Sequence, residues 1–281
     1  MSDLVDYEER TNLAVYAVLI ELGQVLGAYL DSIVVIGGSV PWLLYPHAEP
    51  RHIGTLDVDL SLDHKALGGG QYAMLVQLLE AAGYKRGEED LRAFQMFREV
   101  RIDAGPPIKV IVDFLMARDA KFKRNRPPLL AGFAVQKATG ADVANRHFVY
   151  QELSGAMPDG RHNSVRLRVA SIPAFLVMKG HAIIGRDKPK DSYDIYYAIK
   201  HFEDGIGALA DLSRSLIEHQ VAKQAFDNIG QKFDRIDGYG PQTVVKFLVE
   251  SGATDGMSPA QIAQDAFSHV QAWLEMVGSR E

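Results

Sequence analysis

The chain has 281 residues, 47% of them hydrophobic and 23% charged, with a net charge of −6. Those proportions exclude long disorder and suit one large or two modest domains with a real core. It has no cysteine, which excludes a disulfide framework, a thiolate zinc site and a cysteine nucleophile, and fits a reducing cytoplasm.

The opening MSDLVDYEER is acidic and lacks a basic start followed by an apolar run, so no secretory leader is expected. No stretch approaches the roughly 18 uninterrupted apolar residues of a membrane span, and no membrane partner is expected. Residues 5–30 repeat apolar positions at three- and four-residue spacing (Leu13, Val18, Leu22, Val25, Leu26), the helical period. IVVI at 33–36 reads as a buried strand that meets a tight turn at Gly37-Gly38, and 40–46 continues as a helix. TLDVDLSL at 55–62 alternates strictly. Leu56, Val58, Leu60 and Leu62 share one face, and Asp57, Asp59 and Ser61 the other.

The triple glycine at 68–70 reads as a loop, and 71–82 as a helix stopped by Gly83. Residues 94–104 and 108–116 read as two strands joined by Gly105-Pro106-Pro107, and 147–153 with 165–170 as another pair. Ser171 and Pro173 form a helix start. Helical periodicity then covers 173–185, 191–202, 205–220, 222–236, 241–251 and 259–277. Strands early and helices late imply an α+β domain over 1–171 and an all-α domain over 172–281. Acids outnumber bases twelve to six across 201–281, so residues 1–200 are neutral overall. Local basic clusters there can still act, and the acidic C-terminal part could dock a basic partner.

Asp57-x-Asp59 carries the most chemistry. At about 3.3 Å per residue the two side chains leave one face roughly 6.6 Å apart. Two bare charges about 5 Å apart repel by roughly 3 kcal/mol at a dielectric near 20, and a divalent cation reverses that sign. Oxygen ligands alone select magnesium or manganese over zinc. The plain alternative is an acidic solvent face. Two features count against it. Gly37-Gly38-Ser39 ends a strand just upstream, where glycine lets amides approach phosphate and serine adds a donor. Asp113, in KVIVDFL, lies opposite Val110, Val112 and Phe114 on its own strand. If that strand neighbours the DxD strand, three carboxylates converge, and the third can complete a metal site or take a proton from an attacking hydroxyl. Asp103 is a weaker candidate for the same role.

GGS, then DVD, then a later strand aspartate resembles the minimal nucleotidyltransferase fold of the DNA polymerase beta superfamily, a short mixed sheet flanked by helices. FLVMKGHAIIGRDKPKDSYDIYYAI at 175–199 narrows the likeness. A helical lysine, an Arg- and Lys-rich turn and Asp-x-x-Asp before aromatics resemble the AbiEii-type nucleotidyltransferases, toxins of type IV toxin–antitoxin and phage-defence systems. The resemblance spans about residues 33–200, and its Ser39-to-Asp57 linker is longer than the superfamily's usual spacing.

That resemblance implies roles residue by residue. Gly38 and Ser39 would hold the triphosphate, and Asp57, Asp59 and Asp113 would ligate Mg2+ or Mn2+. Lys179 would contact the nucleotide, with Lys190 beside it, and Asp191 and Asp194 match the acids of the last motif. The residues also have a reading of their own. Lys179 lies in an apolar helix, where a cation needs a partner or a ligand. Asp191 is placed as an N-cap with Asp194 in a capping-box position. Asp194 is the better functional candidate of the two, orienting Lys179 or Lys190.

Lys121, Lys123, Arg124 and Arg126 form one basic cluster, and Arg161, His162, Arg166 and Arg168 a second; either could follow a phosphate backbone or be a solvated loop. The histidines lack metal-site spacing, and Trp42 and Trp273 read as packing residues. The expectation is a metal-dependent nucleotidyltransferase with a helical domain closing its cleft. It would pass a nucleoside monophosphate from an NTP to RNA (tRNA 3′ ends included) or protein, act as a toxin, and have an antitoxin as partner. The competing expectations are an enzyme modifying a small molecule such as an antibiotic, and a non-catalytic module that binds nucleotide or a partner.

Overall fold

The structure, a computed structural model, describes residues 2–63, 71–118 and 135–278. The loop expected at 68–70 and the basic cluster at 121–126 lie outside them. The chain forms two compact units, Met1–Val40 with Ile53–Ala170 and Pro41–His52 with Ser171–Glu281. A single cut at 171 misses the segment 41–52, which packs with the helices.

In the first unit, helix α1 (Ser2–Val25) runs into a 3-10 turn over Gly27–Ser32. Strand β1 (Ile33–Ile36) follows; α2 (Ser39–Leu44) begins at the end of this stretch and runs on into the second unit, and the first unit resumes with β2 (Asp57–Leu62) and α3 (Gln71–Ala81). Next come β3 (Gln95–Val100), β4 (Ile108–Ala117), β5 (Gln136–Ala138), α4 (Ala141–Arg146), β6 (Phe148–Ala156) and β7 (His162–Ala170). The strands make one mixed sheet in the order β3-β4-β2-β1-β7-β6, with β5 extending the β3 edge of β4. β2 pairs antiparallel with β1 and parallel with β4.

Alternation decides which face of this sheet is buried. Val58, Leu60 and Leu62 are at most 2% exposed. Burying three such side chains contributes roughly 5–9 kcal/mol. A one-residue slip would exchange that face for Asp57, Asp59 and Ser61, so the register is strongly held. Leu19 and Leu22 of α1, with Leu26 just after it, meet Val35 and Leu60 on the apolar side. Helix α4 covers part of the other side, where Ser61 donates to Asn145 Oδ1 at 2.8 Å.

Several boundaries differ from expectation for local reasons. The strand expected to reach 104 ends at Val100, because Asp103 adopts φ 54° and turns the chain. Asp103 therefore sits in the β3–β4 turn and not on a strand face. Strands β6 and β7 extend to Ala156 and back to His162, a longer hairpin than the hydrophobic pattern suggests. The short β5 and α4 fall in a stretch with no clear period.

The second unit is helical: α5 (Ile172–Gly185), α6 (Pro189–Lys200), α7 (Gly205–Arg214), α8 (Gln220–Lys232), α9 (Tyr239–Glu250) and α10 (Pro259–Gly278). The helix expected over 205–220 stops at Arg214. Bonds from Leu216 N–H to Ser213 O and from Ile217 N–H to Arg214 O tighten its end, and the Ser215 hydroxyl takes the Leu212 carbonyl. α5 and α8 approach so closely that a Cβ at Gly180 would lie 2.3 Å from Ala225 O. Trp273 is fully buried against Phe226, its indole N–H donating to Ser213 Oγ at 3.3 Å. Tyr45 O–H donates to Ala198 O, and Tyr197 O–H to Pro50 O, which ties the 41–52 segment to α6. Among the described residues, no helix is long and apolar enough to cross a membrane.

Candidate active site

Asp59 and Asp113 are Cα partners in the parallel β2–β4 pair, and Ile36 and Gln95 extend the same row on either side. Register partners share a sheet face, and so do residues two apart. Asp57, Asp59 and Asp113 therefore leave one face, each half-buried.

Gly37 closes over this row. It has φ 75°, and a Cβ there would lie 1.8 Å from Asp59 Oδ2. The backbone of the turn thus passes where no side chain fits. Gly38 and Ser39 follow, both buried, and the Ser39 hydroxyl donates to the backbone carbonyl of Asp57 at 3.4 Å. The bend at 37–39 is consequently on the carboxylate side of β1 and joined to the start of β2.

Gln95, which the sequence reading missed, holds Asp113. Its Nε2 donates to Asp113 Oδ1 at 2.8 Å, and its Oε1 accepts Arg92 N–H at 2.9 Å. The second bond fixes which end of the amide faces the carboxylate.

The donor set fits a hard divalent cation, being oxygen throughout with three acids on one face. Among the described residues, no three acid or histidine side chains gather tightly enough to cage an ion. Magnesium is ordinarily held by one or two carboxylates with water and phosphate oxygens completing its shell. Asp57 and Asp59, with Asp113 beside them, are the residues that would hold it.

The lysine and aspartates of 179–194 form a buried ionic network in the second unit. Lys179, 7% exposed, reaches Asp191 Oδ1 at 2.7 Å and Asp194 Oδ2 at 2.6 Å. Arg186 also grips Asp191, and Lys190 and His52 both reach Asp194 Oδ1 at 2.9 Å. Burial opposes the Lys179 charge, but the Asp194 and Asp191 carboxylates outweigh it and raise its pKa. Burial likewise works against ionised Asp194, and Lys179 and Lys190 overcome it, holding its pKa well below the usual range. Burial lowers the pKa of Lys190, with Asp194 opposing the shift. His52 is driven down to about 4, first by burial and then by Lys190, so it is neutral at pH 7.

Asp191 is not the N-cap. Helix α6 begins at Pro189 with Lys188 in the cap position, and the Asp191 side chain is spent on Lys179 and Arg186. Asp194 contacts both Lys179 and Lys190. His52 escaped the sequence reading, and Arg186 entered it only as part of the Arg- and Lys-rich turn, without its pairing to Asp191. His52 lies 142 residues from its partner, and no local pattern marks it.

No family model matches the chain, and no curated protein matches it significantly. Among solved structures, JHP933 from Helicobacter pylori is 13% identical, with 94% of each chain covered and a TM-score of 0.40. A protein described as a "putative nucleotidyltransferase from H. pylori" is 12% identical, covering 93% of this chain and 96% of that one, with a TM-score of 0.43. Likeness at that level is too loose to carry fold or activity. The α+β architecture stands on the sheet and helices of the chain itself.

Proposed function

We propose that this chain is a nucleotidyltransferase that moves a nucleoside monophosphate from an NTP to an acceptor hydroxyl and releases pyrophosphate. The observation that supports it most is the carboxylate row, Asp59 opposite Asp113 with Asp57 on the same face and the Gly37 turn against Asp59.

In this reading Asp57 and Asp59, with Asp113, hold Mg2+ or Mn2+. The cation supplies charge neutralisation on the triphosphate and alignment of the attacking and leaving oxygens. The 37–39 turn gives the β- and γ-phosphates a close backbone approach, with Gly38 and Ser39 beside them. Asp113, held in place by Gln95, accepts the proton of the acceptor hydroxyl as its oxygen bonds to the α-phosphorus and the bond to pyrophosphate breaks. Lys179, Lys190 and Asp194 serve as a positioning network, because their charges are buried and mutually engaged. The resemblance to AbiEii-type proteins supports a toxin acting on RNA or protein and restrained by an antitoxin.

The test is incubation with each α-labelled NTP, Mg2+ and total cellular RNA, protein or an aminoglycoside, resolved on gels and thin layers. Label on RNA or protein that requires Asp57 supports the reading. Label on the drug alone moves the enzyme to small-molecule modification. No pyrophosphate release with any acceptor overturns the enzymatic reading and leaves a binding module.

A further inference from the structure

The second basic group of the sequence has a specific form on the β6–β7 hairpin. Along one face of these paired strands, Phe148 and Tyr150 of β6 alternate with Arg168 and Arg166 of β7. The Arg166 guanidinium lies 4.0 Å from the Tyr150 ring centroid, and that of Arg168 lies 4.6 Å from Phe148 and 5.8 Å from Tyr150. The two rings meet edge to face at 5.5 Å. Arg168 forms the base of this ladder, anchored to the Asp31 carboxylate and backbone carbonyl. Arg166 and Tyr150 form its outer part, with Tyr150 47% exposed.

A half-exposed tyrosine is ordinary on a protein surface by itself; here the ring stands beside two guanidinium groups on one sheet face. Beyond Tyr150 the face continues with Ser154, Ser164 and His162, all exposed. Glu152, the register partner of Arg166, is the one acid along the strands of this face. A half-exposed aromatic, a guanidinium stacked against it and small hydroxyl residues match what single-stranded nucleic acid offers, a base to stack and phosphates to bind. An acidic protein surface would use the arginines and leave the ring unexplained.

The register also relates this face to the carboxylates. Val149 pairs with Val169, Val169 with Val35 and Val35 with Leu60, so those four share the apolar side. Phe148 and Tyr150 therefore lie on the side of Asp59, three strands or about 14 Å away across the sheet. We propose that Tyr150 and Arg166 form a binding platform for single-stranded nucleic acid. This makes the acceptor of the proposed transfer a polynucleotide, a step that rests on the nucleotidyltransferase reading.

Binding of a fluorescein-labelled 12-nucleotide single-stranded RNA to the full chain, followed by anisotropy without NTP, tests the platform apart from catalysis. Tyr150→Ala should weaken binding by about tenfold, the scale of one lost base stack. Arg166→Gln should lower the salt dependence by about 0.7 of a log–log slope, one phosphate contact on a single strand. Asp57→Asn should bind like the wild type. Both platform residues are exposed, and circular dichroism confirms folding of each variant. Absent binding, equal binding by wild type and both variants, or equal displacement by polyglutamate overturns the platform. If binding depends on Tyr150 but no transfer occurs with any acceptor, the enzymatic reading falls and the platform stands. Transfer to a small molecule without RNA binding gives the reverse.

Discussion

Asp59 and Asp113 face each other across the parallel β2–β4 pair, so two acids far apart in the chain share one row of one sheet face. Like charges directly opposite in a sheet are destabilising, and a fold that keeps them there has a use for both. Replacing Asp57, Asp59 or Asp113 with Asn should lower transfer by about a hundredfold or more, the scale of losing one electrostatic stabiliser. Thermal unfolding should stay level or rise, since repulsion is relieved. Calorimetry beside the labelled-NTP assay checks both parts, and full transfer by Asp59→Asn would remove the carboxylate assignment.

Gly37 tests the same row from the backbone. Alanine there would have to adopt φ near 75° and would place its Cβ 1.8 Å from Asp59 Oδ2. The conformational part costs about 1–2 kcal/mol, and the collision pushes the Asp59 carboxylate from its place. Gly37→Ala should therefore lose transfer out of proportion to its modest drop in urea midpoint. Gly87 also has positive φ but has open space at its Cβ position. Gly87→Ala should show the conformational cost and keep activity.

The buried network predicts stability effects. Lys179→Met leaves the Asp191 and Asp194 carboxylates buried with their shared cation gone, and breaking a buried pair on one side costs about 3–5 kcal/mol. Asp194→Ala strands Lys179 and Lys190 in the same way. Arg186 holds Asp191 from a half-exposed position, so Arg186→Gln should cost much less. Urea unfolding of the three variants gives the order, and Lys179→Met as stable as wild type would contradict the network.

What could be read from the sequence follows where the physics is local. The β2 alternation and the apolar run of β1 mark their strands because side-chain burial repeats within a few residues. The helices from 172 onward announce themselves through period, and the first also through Pro173; the start of α6 at Pro189 was not foreseen. The shared face of Asp57 and Asp59 was legible from their alternation with Val58 and Leu60, and the side of Asp113 from the apolar Val110, Val112 and Phe114 opposite it on β4. Gln95 was not legible, since its role exists only once β3 lies beside β4. His52 sits in a proline-rich segment without period, and its partnership with Asp194 needs the whole second unit. Asp191 was misread because a first-turn aspartate resembles a cap until a buried lysine claims it.

His52 gives the pH prediction. Its folded pKa is about 4 against an ordinary 6.5, so between those values the unfolded chain binds the proton that the folded chain refuses. Stability linked to this histidine is complete above about pH 6.5 and falls progressively as pH drops toward 4, by roughly 3 kcal/mol in all. His201, also lowered to about 4 by burial and then Lys200, adds a loss of the same sign. Asp194 and Asp191, whose pKa values are depressed, add theirs only at lower pH. Urea unfolding at pH 7, 6, 5 and 4.5 should show a steadily falling free energy. His52→Asn, which cannot take up the proton, should remove about half of that slope, His201 carrying the rest, while lowering stability at pH 7, where the Asp194 contact is weakened. A slope unchanged by His52→Asn would assign the loss to His201 and leave His52 without a part in the acid response.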